Sequence, residues 1–347
     1  MVHKVCVVGA GIIGLSTAYI IQDKIPDVEV TIIADRFSPD TTGDGTGGLW
    51  MPYLAGNTPM ELIQKWGKDT WDYLIKILRS PEADAAGVSI HSGHIIYEKK
   101  PEQDPFWKDM VFHFKHCTQH ELDALFPGYP CGVHVTMMFC LCLRYLPWLM
   151  ERYKAIGGKT MKQTLSSLSE ISDLYDVIVA CPGVRARHLL DDKEVYPIRG
   201  QIVTMTNPGS LIKYTDTEKA EGSSDTYLLP SCSAEYIHCG GTAQVNDWNE
   251  ESDPEDAKRI IERCTKLVPS LKSAEVVGTW AGLRPGRSSV RLEKEDKMIA
   301  GKMKKVVYNY GHGGSGITLH WGCALDATEL VRQSITELQP LQSPSKL

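Results

Sequence analysis

The sequence predicts an α/β fold whose first domain is assembled from separated segments of the chain. Three stretches carry that expectation. The opening residues read strand, glycine turn, helix, strand; an apolar run at residues 175–180 reads as a further buried strand; and a last strand, at residues 306–310, enters a second glycine-rich turn and a helix.

Residues 4–8 form a short apolar run of the kind found in parallel strands buried on both faces. Gly9, Gly11 and Gly14 follow with the spacing G-x-G-x-x-G. The first glycine allows the tight turn, the second lets a pyrophosphate approach the backbone, and the third lets helix and strand pack closely. Apolar residues at helical spacing fill 12–21, so the free N–H groups of that helix start, at Ile12 and Ile13, are placed for phosphate oxygens. A second strand, residues 28–34, ends at Asp35, 21 residues beyond Gly14. An acid there accepts hydrogen bonds from an adenosine ribose. NAD, NADP and FAD share that half, and Arg36 leaves a 2′-phosphate open.

The far stretch narrows the choice. No second fingerprint with its distant acid occurs. Instead "NYGHGGSGITLHWG" places five glycines in fourteen residues ahead of a helix expected over 318–335. The positive end of a helix stabilises an anion, and reduced flavin carries negative charge where nicotinamide does not. Backbone N–H groups from Gly316 to Thr318 would meet the ring, so non-covalent FAD is the expected cofactor.

Bulk properties agree with a globular enzyme. Charged residues make up 23% of 347 and the formal net charge is −6, with no basic block, which argues against nucleic acid. No apolar run of membrane-spanning length exists, and "MVHKVCVVGAG" does not read as a secretory leader. Most of the ten cysteines sit in apolar runs, as Cys6 and Cys181 do, and are expected to be reduced and buried. Cys140 and Cys142 read as strand neighbours, and no metal site is expected. The final Ser345, Lys346 and Leu347 form a receptor-read peroxisomal address on a polar tail.

"GAGIIGLSTAY", "ADRFSPDTT", "DVIVACPG", "IRGQIV", "GLRPGRSSVRLE" and "NYGHGGSGITLHWGCAL", in that order, resemble the D-amino-acid oxidase and D-aspartate oxidase family over nearly the whole chain. The resemblance implies a Rossmann-like FAD-binding domain (1–54, 145–195 and 280–340), a substrate domain on a large antiparallel sheet (55–144 and 196–279) and a tail (341–347). It implies oxidative deamination: the α-hydrogen leaves as hydride toward the flavin, water yields a 2-oxo acid and ammonia, and oxygen yields hydrogen peroxide. The partners are then a D-amino acid, oxygen and a peroxisomal import receptor, and a homodimer stays open.

By the same resemblance, Arg284 and Tyr227 hold the substrate carboxylate and the Gly314 carbonyl accepts from its amine. FAD would be held by Gly9, Gly11, Ile12, Ile13, Gly14, Asp35, Arg36, Thr42, Gly48, Leu49, Met51, Leu165, Gly313, Gly314, Ser315, Gly316, Ile317 and Thr318. Two departures stand out. Gly45, Thr46 and Gly47 replace small apolar residues, which predicts a looser loop and weaker FAD binding. Acid-specific members carry arginines where this chain has Ala243 and Ala220, and neutral-specific members carry a tyrosine at Ser223. A second carboxylate buried without a partner costs roughly 3–5 kcal/mol. Neutral or broad D-amino acids are therefore expected, with D-aspartate or D-glutamate as the alternative and Lys219 the nearest spare cation. An oxidase of glycine or secondary amines, and a non-catalytic relative that binds FAD weakly or not at all, also remain open.

Overall fold

The computed structural model describes residues 2–209, 214–218 (backbone alone), 226–231 and 235–338. Lys219, Ala220, Ser223 and the Ser345–Lys346–Leu347 tripeptide lie outside the described residues.

Two sheets organise the chain. The first has six strands in the spatial order Arg291–Ile299, Lys302–Tyr310, Val177–Ala180, His3–Val8, Val28–Ala34, Lys159–Lys162. Neighbours run parallel except for the Arg291–Ile299 edge strand, which is antiparallel to Lys302–Tyr310. Val5 sits opposite both Val30 and Val177. Burial on both faces explains the unbroken apolar runs: Val5, Val7, Val177, Ile178, Val179 and Val307 are fully buried. The helices Ile12–Lys24 and Gly316–Leu338 pack on each other over this sheet. Gly14 makes room for the turn, since a Cβ there would lie 2.0 Å from the Gly9 carbonyl oxygen.

The second sheet has nine strands and is mostly antiparallel. Its long member, Tyr196–Thr206, pairs with Tyr236–Gly240, Gln244–Val245 and Val276–Gly286. The Thr226–Pro230 strand lies beyond Tyr236–Gly240. The helix Pro254–Leu267 packs against the sheet, capped by Asp253, whose carboxylate accepts from the Glu255 and Asp256 N–H groups.

Several expectations change here. The boundary at 280 cuts the Val276–Gly286 strand, which belongs whole to the antiparallel sheet. The helix Met60–Leu78, expected in the substrate domain, packs on Gly316–Leu338 through Trp66 and Thr70: a Cβ on Gly322 would lie 2.4 Å from the Trp66 backbone, and Gly322 N–H donates to Thr70 Oγ1 at 3.1 Å. Cys140 ends a strand, but Cys142 is the first residue of the helix Cys142–Ala155, so the two are not strand neighbours. The nine described cysteines are free, and all but Cys117 and Cys131 are buried. Among the described residues no helix is long and apolar enough to cross a membrane, and no cluster of His, Cys, Asp or Glu is placed to hold a metal.

Candidate active site

A cavity of about 570 Å³ is lined by residues of both sheets. That is within the usual range for a small-molecule or cofactor site. It extends from the first glycine turn to the second.

At the first turn, Gly9 has φ +108°, a conformation that favours glycine. The helix that follows is capped by Gly11 with no side-chain bond, and its first intrahelical bond runs from Leu15 N–H to Gly11. The N–H groups of Ile12, Ile13 and Gly14 therefore precede the ladder. All four residues line the cavity, and nothing lies within 4 Å of where a Gly11 Cβ would be. This is an open anion cradle and it fits a pyrophosphate. At the second turn, Leu319 N–H makes the first intrahelical bond, to Ser315, leaving Gly316, Ile317 and Thr318 N–H outside the ladder. Asn309 Oδ1 and His312 Nε2, on residues that line the cavity, are buried without a partner. Burial pushes His312 down to about 3, so the ring is neutral.

Behind that turn lies a polar network. Tyr310 Oη and Arg287 Nε donate to Asp192 Oδ2 at 2.7 and 3.0 Å. Burial raises the Asp192 pKa, but these two donors outweigh it and hold the carboxyl below its usual range. Gly311, at φ +85°, passes within 2.9 Å of Arg287 measured from where a Cβ would be. The ion network thus fixes the entry to the glycine turn.

Arg284, Tyr227, Gly314 and Tyr53 line the same cavity. Arg284 is half-buried and its guanidinium lies flat over Gly200, where a Cβ would come within 2.3 Å of Nη1. Nη1 donates to the Thr242 carbonyl at 3.0 Å, and the guanidinium carbon is 5.9 Å from the Tyr53 ring centre. No carboxylate among the described residues pairs with it. The Tyr227 ring sits over Gly240 and Gly241, whose missing side chains give it space. Tyr53 packs on Gly314, 2.3 Å from where a Cβ would be, and its N–H donates to Ser315 Oγ at 2.8 Å.

Other expected cofactor residues divide. Asp35, Arg36, Thr42, Gly48, Leu49, Met51, Gly313, Gly314, Gly316 and Ile317 line the cavity. Leu165 does not: it packs in the small core around Ile33, Leu168 and Tyr175. Ser315 and Thr318 do not line it either. Their hydroxyls point away, to Tyr53 and Met51 backbone groups. The 45–47 loop is not loose. A Cβ on Gly45 would lie 2.0 Å from the Trp280 ring, and one on Gly47 would lie 2.0 Å from Leu229 Cδ1. Buried Asp44 binds Ser38 Oγ, Thr41 N–H and Thr41 Oγ1. The glycines are where two large side chains from the other sheet need room.

Sequence reasoning missed Tyr53, Arg185, Trp248, Glu250 and Trp280, all of which line the cavity. Tyr53 lies two residues past Met51 and was within reach. The others depend on contacts far apart in the chain.

This combination of a dinucleotide-type sheet, a covering antiparallel sheet and two glycine cradles defines an FAD-dependent oxidoreductase. Residues 4–330 match the family model described as FAD dependent oxidoreductase, and the chain belongs to that family. It is 39% identical to human D-aspartate oxidase over 97% of this chain and 96% of the relative. It is 36% identical to D-amino-acid oxidase of Rubrobacter xylanophilus over 97% and 98%. Glycine oxidase from Geobacillus kaustophilus shares the fold, with a TM-score of 0.76 at 16% identity and coverage of 99% and 97%.

Proposed function

We propose that this chain is an oxidase of neutral D-amino acids. One observation carries the reading: a half-buried guanidinium, Arg284, that pairs with no carboxylate among the described residues and lies by Tyr53 in the wall of the cavity that Tyr227 and Gly314 also line. Such a fork suits an α-carboxylate bidentately. Bound FAD would supply the two-electron acceptor and its reoxidation by oxygen to hydrogen peroxide. The cradles described above would hold its pyrophosphate at Ile12–Ile13 and its ring edge at Gly316–Ile317.

The protein's own part is to position and desolvate. Arg284 and Tyr227 hold the carboxylate, and the Gly314 carbonyl accepts from the amine. Tyr53 and Leu49 wall the site. Among the described residues no His, Asp or Glu lines this end of the cavity apart from His312, which burial pushes down to about 3 and so makes a weak base. Orientation rather than proton abstraction is then the main device. Arg284 is also the cation of this end among the described residues, since Arg36 and Arg185 lie with Asp35 at the other. Among the described residues a side-chain carboxylate finds no cation at this end, which favours neutral substrates.

D-aspartate is the second reading, favoured by the higher identity to human D-aspartate oxidase. Peroxide release on D-alanine, D-methionine, D-aspartate and D-glutamate separates the two. We also propose oxygen as the electron acceptor and peroxisomal import through Ser345, Lys346 and Leu347. Imaging a tagged chain with and without that tripeptide tests the import, and sedimentation tests assembly as a homodimer.

A further inference from the structure

Three remote segments meet at the Asp35 end of the cavity. Asp35 and Arg36 close the Val28–Ala34 strand; Arg185 and His188 follow the Val177–Ala180 strand; Trp248 and Glu250 come from the antiparallel-sheet side. Arg185 pairs with Asp35, and Arg36 pairs with Glu250. The Trp248 ring lies 5.5 Å from that of His188 and is 42% exposed, a large apolar surface left partly in solvent.

The segment that carries Trp248 and Glu250 is anchored from behind. Arg199 is 1% exposed and donates to the Asn249 and Glu251 carbonyls at 2.9 and 2.7 Å, to Gln244 and Gln201 side chains, and to Asp256. Gln201 exchanges two bonds with the Asp253 backbone at 2.8 Å. The buried network fixes the arm, while the tip reaches across to the other sheet through one exposed ion pair. An exposed pair adds little to folding stability, so its placement over a cavity calls for another role.

We propose that residues 247–252 are a cofactor clasp: Trp248 is the aromatic wall of an adenine subsite, and the Glu250–Arg36 pair latches that wall over the adenosine end. The proposal rests on the FAD reading and adds residues from the covering sheet to the adenosine subsite. The hydrogen bond to Glu250, with its charge, raises the Arg36 pKa, in keeping with a closed latch. The clasp governs escape of the adenosine half and is indifferent to the flavin half.

The test is titration of the apoprotein with FAD, ADP and FMN, with FAD dissociation followed by flavin fluorescence. Trp248→Ala is expected to weaken FAD and ADP on the order of tenfold, as loss of a base–aromatic stack does, and to leave FMN unchanged. Glu250→Arg is expected to speed FAD release roughly two- to fivefold, and the charge-keeping Glu250→Asp to stay within about twofold of wild type. Glu250→Gln serves if the arginine variant does not fold. Unchanged FAD and ADP affinities, an equal loss for FMN, or equally fast FAD release from Glu250→Asp and Glu250→Arg would overturn the clasp alone. A wild-type apoprotein that binds neither FAD nor ADP would overturn the FAD reading and the clasp with it.

Discussion

Gly200→Ala tests the substrate anchor without touching it. Gly200 lies in the Tyr196–Thr206 strand, opposite Gly282. Its φ is not in the left-handed region, so alanine is no strain on the backbone. The new methyl would fall 2.3, 2.4 and 2.5 Å from Nη1, Cζ and Nη2 of Arg284. Non-bonded atoms need roughly 3.5 Å, so the guanidinium must move by about 1 Å. A misplacement of that size costs on the order of a hundredfold in rate. The side chain is flexible, so the fold should survive, and a Gly→Ala change at a compatible site removes freedom from the unfolded chain. We expect unchanged thermal stability and FAD affinity, with kcat/KM for D-alanine reduced about thirty- to hundredfold by peroxide release. A value within twofold of wild type, with flavin bound, would refute the placement of the substrate carboxylate on this face of Arg284.

Gly45→Ala is expected to cost about 1–3 kcal/mol by overpacking against Trp280. Adding Trp280→Ala should recover part of it, a coupling of roughly 0.5–3 kcal/mol read from denaturant unfolding of the cycle. Burial holds His312 and His320 near 3 from an ordinary 6.5, and His320 also feels His312. Both stay neutral when folded while the unfolded chain takes up protons, so the stability they contribute is complete above pH 6.5 and lost as pH falls toward 3. Each histidine gives a slope of about 1.4 kcal/mol per pH unit in that window, and His320→Gln should halve the combined slope in urea titrations. Ala243→Arg should raise the D-aspartate to D-alanine ratio of kcat/KM at least tenfold, since it places a second guanidinium one residue from Thr242, whose carbonyl accepts from Arg284; an unchanged ratio would place the side-chain subsite elsewhere.

What could be read in advance follows chain distance. The strand–turn–helix–strand of residues 3–34 is specified by neighbours, because glycine spacing, apolar runs and a terminal acid all act within a few residues. The second turn was read for the same reason, although its helix begins at Gly316, two residues before the apolar pattern suggests. Leu165 lies off the cavity lining because its apolar side chain has a core to join. The 45–47 loop misleads because its glycines read as looseness. Its space is filled by Trp280 and Leu229, more than 180 residues on, and no local pattern records that. Arg36 and Glu250 are 214 apart, which hides the latch in the same way.

The measurement that bears most directly on the account is anaerobic mixing of the flavin-loaded protein with D-alanine, L-alanine and D-aspartate, following loss of oxidised-flavin absorbance, for wild type and Arg284→Ala. Rapid bleaching by D-alanine, slower bleaching by D-aspartate, none by L-alanine, and loss of the D-alanine reaction in the variant while flavin stays bound are expected. Bleaching by D-alanine that survives Arg284→Ala, or no bleaching by any D-amino acid, would contradict it.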